Sequence, residues 1–250
     1  MGLFDIFKKR TKIEQEVVEE KKKSSTVPLT INLKKSQENL GKVLIDLSKG
    51  TKVDLSKHKA RVAMAIDYSG SMGSLYANGS IQKVITRLLP IALKFDDNGE
   101  LESWIFSNGS CSLTPVCLNN YDDYVKKVIN KSEMYMGGTN YSPVLEEIIE
   151  LYQYNKISSI PAFVIFITDG DNWDTTETDK IIRELSNYNI FIQFVGIGKE
   201  KFTYLRKLDN LSGRRCDNTG FIAVEDMNNL SDIELYTELL RQYKEWLEKK

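Results

Sequence analysis

The sequence predicts an α/β chain built on a doubly wound, mostly parallel central sheet with helices on both faces. Short, strongly apolar runs at residues 62–66 (VAMAI), 162–168 (AFVIFIT) and 190–195 (IFIQFV) have the character of strands buried on both sides. Segments with apolar residues at helical spacing lie between them, and such alternation argues for parallel strands joined by crossover helices. The chain has 250 residues, 41% hydrophobic and 28% charged, which is enough for one large α/β domain and a tail.

Taken in order, residues 1–25 form a basic arm, dense in Lys and Glu and sparse in apolar residues, expected to be disordered or marginally helical. Residues 26–58 follow as an extended leader. Two alternating runs, 29–33 and 43–47, flank turn residues at 39–41 and suggest a short β-hairpin. The main domain is placed at 59–250. Its first strand ends at Asp67, and a helix follows over 81–95 with Pro90 inside it. Strands are expected at 101–106 and 112–118, then a helix over about 122–130. Pro143 marks the first turn of another helix, the position where proline is favoured. Beyond the strand at 162–168 come a helix over 179–188, the strand at 190–195, a helix over 202–211 and a strand at 221–224. Ser231 caps a last long helix whose inner stripe holds Leu235, Leu239, Tyr243, Trp246 and Leu247.

The chemistry is concentrated at the carboxyl ends of these strands, where open α/β sheets bind ligands. IDYSGSMG, residues 66–73, sets Asp67, Ser69 and Ser71 directly after a buried strand, with glycines that let the loop curl. Gly137 and Gly138 place Thr139 on a tight turn before a helix. The strand at 162–168 ends in Thr168, Asp169, Gly170 and Asp171. Two carboxylates and three hydroxyls, without His or Cys, suit a hard divalent cation.

In that order and on those elements, DYSGSM, GGT and TDGD closely resemble the metal-ion-dependent adhesion site of von Willebrand factor A (VWA) domains. That resemblance implies a VWA fold and a metal held by Asp67, Ser69, Ser71, Thr139 and Asp169. Mg²⁺ is the expected ion, with Mn²⁺ or Ca²⁺ as alternatives. The phrase LSKGTKVDLSKH, leading into KARVAMAIDYSGSM, resembles the approach to the VWA domain in tellurium-resistance proteins of the TerF type, and also the opening of TerD-type domains. It implies a bacterial stress-response role.

A rival reading is a magnesium phosphatase of the haloacid-dehalogenase type, which also sets an Asp after its first strand. That family expects D-x-D, whereas Ser69 stands at the second position. A structural adaptor with a vestigial metal site is a third reading. Other enzyme classes lack parts. The only histidine is His58, expected to be an exposed polar residue in the leader, and there is no G-x-x-x-x-G-K-[ST] phosphate loop.

Charge sets the mode of recognition. Asp67 and Asp169 roughly neutralise a divalent ion while the hydroxyls add nothing, so the metal keeps an appetite for one more oxygen. The implied partner is a protein offering an Asp or Glu carboxylate. Met72, Leu75, Tyr76, Met136, Tyr141 and Trp173 are expected around the rim, with Trp173, Tyr76 and Met136 touching the partner. Trp173 either anchors that partner or packs under its own loop.

The formal charge of −1 hides a basic start, +6 over residues 1–60, and an acidic remainder of −7. An acidic domain is a poor general nucleic-acid binder. Three cysteines without a framework suggest reduced thiols in the cytoplasm. No apolar run approaches the ~20 residues needed to span a membrane.

Overall fold

The computed structural model describes residues 31–250; the expected N-terminal arm, residues 1–25, lies outside them. The elements in chain order are α1 (Ile31–Ser48), β1 (Arg61–Asp67), α2 (Gly73–Ala77), α3 (Ser80–Phe95), β2 (Leu101–Phe106), β3 (Ser110–Val116), α4 (Tyr124–Lys127) and α5 (Ser142–Ile149). A π-helical turn, Glu150–Asn155, extends α5. Then come β4 (Ala162–Thr168), α6 (Thr175–Leu185), β5 (Ile190–Ile197), α7 (Thr203–Asp209), β6 (Thr219–Val224) and α8 (Asp232–Glu248).

The six strands form one sheet in the order β3-β2-β1-β4-β5-β6. All neighbours are parallel except β2 and β3, which form an antiparallel pair at one edge. Alternation along each strand divides the core into two layers. Val62, Met64 and Ile66 of β1 face the layer that contains α1, α3 and α8 side chains. Ala63 and Ala65 face the layer supplied by α5, α6 and α7. The chain leaves β1 toward β2 on one side, and β4 is added on the other side of β1. The connections therefore diverge between the carboxyl ends of β1 and β4, the crevice where such sheets place ligands.

The leader is not a hairpin. Residues 31–48 form one continuous helix, while the start of the expected first strand, residues 29–30, lies outside the described part. The reason is visible over a longer window: Leu33, Leu40, Val43 and Leu44 recur at helical spacing, and all are buried against the rest of the core. The expected turn residues, including Gly41, sit inside this helix. His58 is likewise half-buried, its Nε2 2.8 Å from the Tyr243 hydroxyl and its ring edge-on to Phe95.

The closing helix α8 begins as its sequence suggests. Ser231 accepts from the Glu234 N–H, and the Glu234 carboxylate accepts from the Ser231 N–H, which satisfies two otherwise unpaired donors. Cys111, Cys117 and Cys216 are free thiols. Among the described residues, no helix is long and apolar enough to cross a membrane.

Candidate metal-ion site

Asp67 is the last residue of β1 and fully buried. Its two carboxylate oxygens are held from opposite sides. Oδ1 accepts from the Ser69 N–H at 2.7 Å, and Oδ2 accepts from the Thr168 hydroxyl at 2.6 Å. Each oxygen keeps a further lone pair. Burial pushes the Asp67 pKa up to about 6; the hydrogen bonds from Thr168 and Ser69 oppose it, and the charge of Asp169 adds to it. Asp169 follows β4 directly, and its pKa is also raised by burial, against a hydrogen bond from Ser71.

The hydroxyls complete a chain of oxygens. Ser69 Oγ lies 3.0 Å from Ser71 Oγ, and Ser71 Oγ donates to Asp169 Oδ1 at 2.9 Å. Magnesium prefers octahedral oxygen geometry with bonds of about 2.1 Å, so adjacent ligand oxygens stand about 3.0 Å apart. The two separations match such an edge. Among the described residues, no three His, Cys, Asp or Glu side chains converge on one point, so an ion here must use neutral oxygens as well. Serine hydroxyls beside two carboxylates supply them, and the set fits a hard divalent cation.

The loop that carries Thr139 is tied to the site's loops by backbone hydrogen bonds. The Gly70 N–H donates to the Gly137 carbonyl, the Asn140 N–H to the Ser107 carbonyl, and the Trp173 N–H to the Thr139 carbonyl. Thr139 is thus wedged, nearly buried, among the loops that follow β1, β2 and β4. The paired glycines are required by close approach. A Cβ on Gly137 would collide with Asn108, and one on Gly138 would meet the Trp173 ring at 2.6 Å.

The rim residues divide into three groups by exposure. Trp173 is 76% exposed, lies against Gly138, and stands beside the site rather than beneath its own loop. Met136 is exposed at the surface, near Gly73. Tyr76 is half-buried: its hydroxyl donates to the Asp67 carbonyl at 3.0 Å and its ring packs edge-on against Tyr68. Met72 and Tyr141 are fully buried and do not face outward. The Tyr141 hydroxyl donates to the Gly170 carbonyl at 2.5 Å, tying the loop after β4 to the start of α5.

Several supporting residues were given no role in the sequence reading. Thr168 orients Asp67, as above. The Asn108 side chain accepts from the Gly138 N–H at 2.5 Å. Asp174 accepts from the Tyr141 and Ser142 N–H groups at 3.0 and 2.7 Å. Burial works against its charge, yet hydrogen bonds from Ser142, Tyr141 and Asn172 hold its carboxyl below the usual range. All three residues lie at or just beyond strand carboxyl ends, the one signal that pointed to them.

A family model, vWA-TerF-like, described as the vWA found in the TerF C terminus, matches residues 59–250. The chain belongs to this family. The vWA-TerF-like chain is 40% identical over 198 residues to YcbR, an uncharacterized protein of Bacillus subtilis, covering 78% of this chain and 81% of that one.

Solved structures share the fold at lower identity. One is proximal thread matrix protein 1 from the mussel byssus, with a zinc-occupied MIDAS motif (TM-score 0.54, 17% identity). The match covers 73% of this chain but only 46% of that one. Another is the manganese-loaded TRAP protein of Plasmodium vivax (TM-score 0.53, 16% identity, 75% of this chain and 74% of that one).

Proposed function

We propose that this VWA-type protein is a non-enzymatic, metal-dependent protein-interaction module of a bacterial tellurium- and stress-resistance system, acting in the cytoplasm. Asp67, Ser69, Ser71, Thr139 and Asp169 would hold one Mg²⁺ and leave a coordination position for an Asp or Glu carboxylate of a partner protein. When bound, the ion supplies a hard electrophilic centre with a preference for oxygen.

The observation that carries this reading is the oxygen chain from Asp67 through Ser69 and Ser71 to Asp169, with its 3.0 and 2.9 Å spacings at the divergence of β1 and β4. The chain's own residues supply the rest. Thr168 and the Ser69 N–H fix the Asp67 carboxylate, Asn108 and Trp173 fix the Thr139 loop, and Trp173 and Met136 give a partner apolar surface beside the ion. The family's TerF-type character supports the stress-resistance setting. The free thiols and the absence of a membrane-length helix among the described residues are compatible with the cytoplasm.

The phosphatase reading needs a general acid two residues after Asp67, where Ser69 cannot serve. The test is a pull-down with wild type and Asp67→Ala, each in Mg²⁺ and in EDTA. A partner captured only by wild type in Mg²⁺ is the expected result. Equal capture in EDTA would remove the metal from recognition. Magnesium-dependent aryl-phosphate hydrolysis abolished by Asp67→Asn would instead establish the enzyme.

A further inference from the structure

The surface around the metal-ion site has two unlike sides. On the β2 side stand exposed apolar groups: Tyr135 and Trp173, each 76% exposed, and Met136, 37% exposed. Exposed aromatic side chains of this size beside a site are a usual place for another chain to bind. On the β5 side, an open cleft lined by Ser71 and Asp169 also holds Asp171 and Glu200, with Lys201 as its one cation among the described residues. A matching ligand carries a carboxylate for the ion, apolar residues next to it, and cations beyond.

The chain contains such a segment. Residues 3–10 read Leu-Phe-Asp-Ile-Phe-Lys-Lys-Arg, so Asp5 is flanked by Phe4 and Ile6 and followed by three cations. The described structure begins at the same end of the fold as the site. Ser36, in the second turn of α1, donates to Asp232 in the first turn of α8, which follows the carboxyl end of β6. Asn228, just before α8, reaches Ser80 at the start of α3, which in turn follows the loop bearing Ser69 and Ser71.

Reach is not limiting. The 23 residues from 8 to 30 span up to roughly 75 Å when extended, whereas a folded body of this size has a radius of gyration of roughly 17 Å.

We infer that residues 3–10 are a built-in ligand of the chain's own metal-ion site, Asp5 offering its carboxylate to the ion while its apolar and basic neighbours meet the two sides of the rim. This rests on the metal-dependent reading above. It makes the protein self-occupied, so a partner must displace the segment before it can bind.

The test uses the full-length ¹⁵N-labelled protein with Mn²⁺ in place of Mg²⁺, because Mn²⁺ erases NMR signals of nearby nuclei. The expected result is loss of the amide signals of residues 3–10 together with those of Ser69, Gly70 and Gly137. In Asp5→Asn, the segment's signals should return while those of the loops stay lost. Loops lost but segment signals intact in wild type would overturn the inference and leave the metal site standing. Loops unaffected would overturn the metal site itself, and the inference with it. In a mixture of labelled Asp67→Ala and unlabelled wild-type chains, loss of the labelled segment's signals would show occupation by a second copy and overturn the same-chain assignment.

Discussion

Replacing Asp67 with Asn keeps the shape of the side chain and removes its charge. The Ser69 N–H keeps its acceptor, and the Thr168 hydroxyl, already 3.3 Å from the Gly170 carbonyl, can turn to donate there while accepting from the new amide. Asp67 has a pKa of about 6 in the folded protein against an ordinary 3.8. The folded state therefore binds this proton more tightly than the unfolded state, and stability falls as pH rises from about 4 to about 6. A difference of about 2 units at about 1.4 kcal/mol each makes the buried charge cost up to about 3 kcal/mol above pH 6. Without metal, Asp67→Asn should then be more stable than wild type at pH 7.5 by up to that amount. For a domain of this length, that is a melting temperature higher by about 6–12 °C. The gap should shrink to about 0.5 kcal/mol at pH 4, where Asp67 is neutral in the folded state and still partly ionised in the unfolded one. Divalent ion at 100 times its Kd adds about 2.7 kcal/mol to wild type alone and closes the gap. Thermal melts of both proteins from pH 4 to 8, in chelator and in Mg²⁺, read all of this. A variant less stable than wild type in chelator at pH 7.5 would refute the reasoning, as would a gap that does not change with pH.

Thr168→Val removes the hydroxyl that orients Asp67 while nearly preserving volume, and should weaken Mg²⁺ binding roughly 10–100-fold by calorimetry. Trp173→Ala should leave Mg²⁺ affinity unchanged and weaken partner binding by about 2 kcal/mol or more, measured on the captured partner. Leu44→Ala, in a helix that a surface hairpin would have left marginal, should cost about 2–5 kcal/mol in denaturant unfolding, because Leu44 is buried in the main core.

The central strands were legible because burial on both faces leaves an unbroken apolar run that only a core strand tolerates. The candidate site was legible as a cluster of oxygens because Asp67 and Asp169 each end such a run, where a carboxylate has no packing reason to be, and the structure joins Asp169 to Ser71 and Ser69. The leader was misread for a physical reason as well. Five-residue windows at 29–33 and 43–47 satisfy the strand period, and the helical period appears only when Leu33, Leu40, Val43 and Leu44 are taken together. The inward turn of Met72 and Tyr141 and the supporting roles of Asn108 and Asp174 depend on how three loops interlock. Those are contacts between distant residues, such as Gly138 with Asn108, and no local pattern announces them. The strand order and the antiparallel edge pair β2–β3 are non-local in the same way.

The central claim is that five oxygen-bearing residues on three loops hold one hard divalent ion. Isothermal titration of Mg²⁺ or Mn²⁺ into wild type, Asp67→Ala and Asp169→Ala tests it most directly. One site in wild type, strongly weakened in both variants, is the predicted result; undiminished binding in both would contradict it.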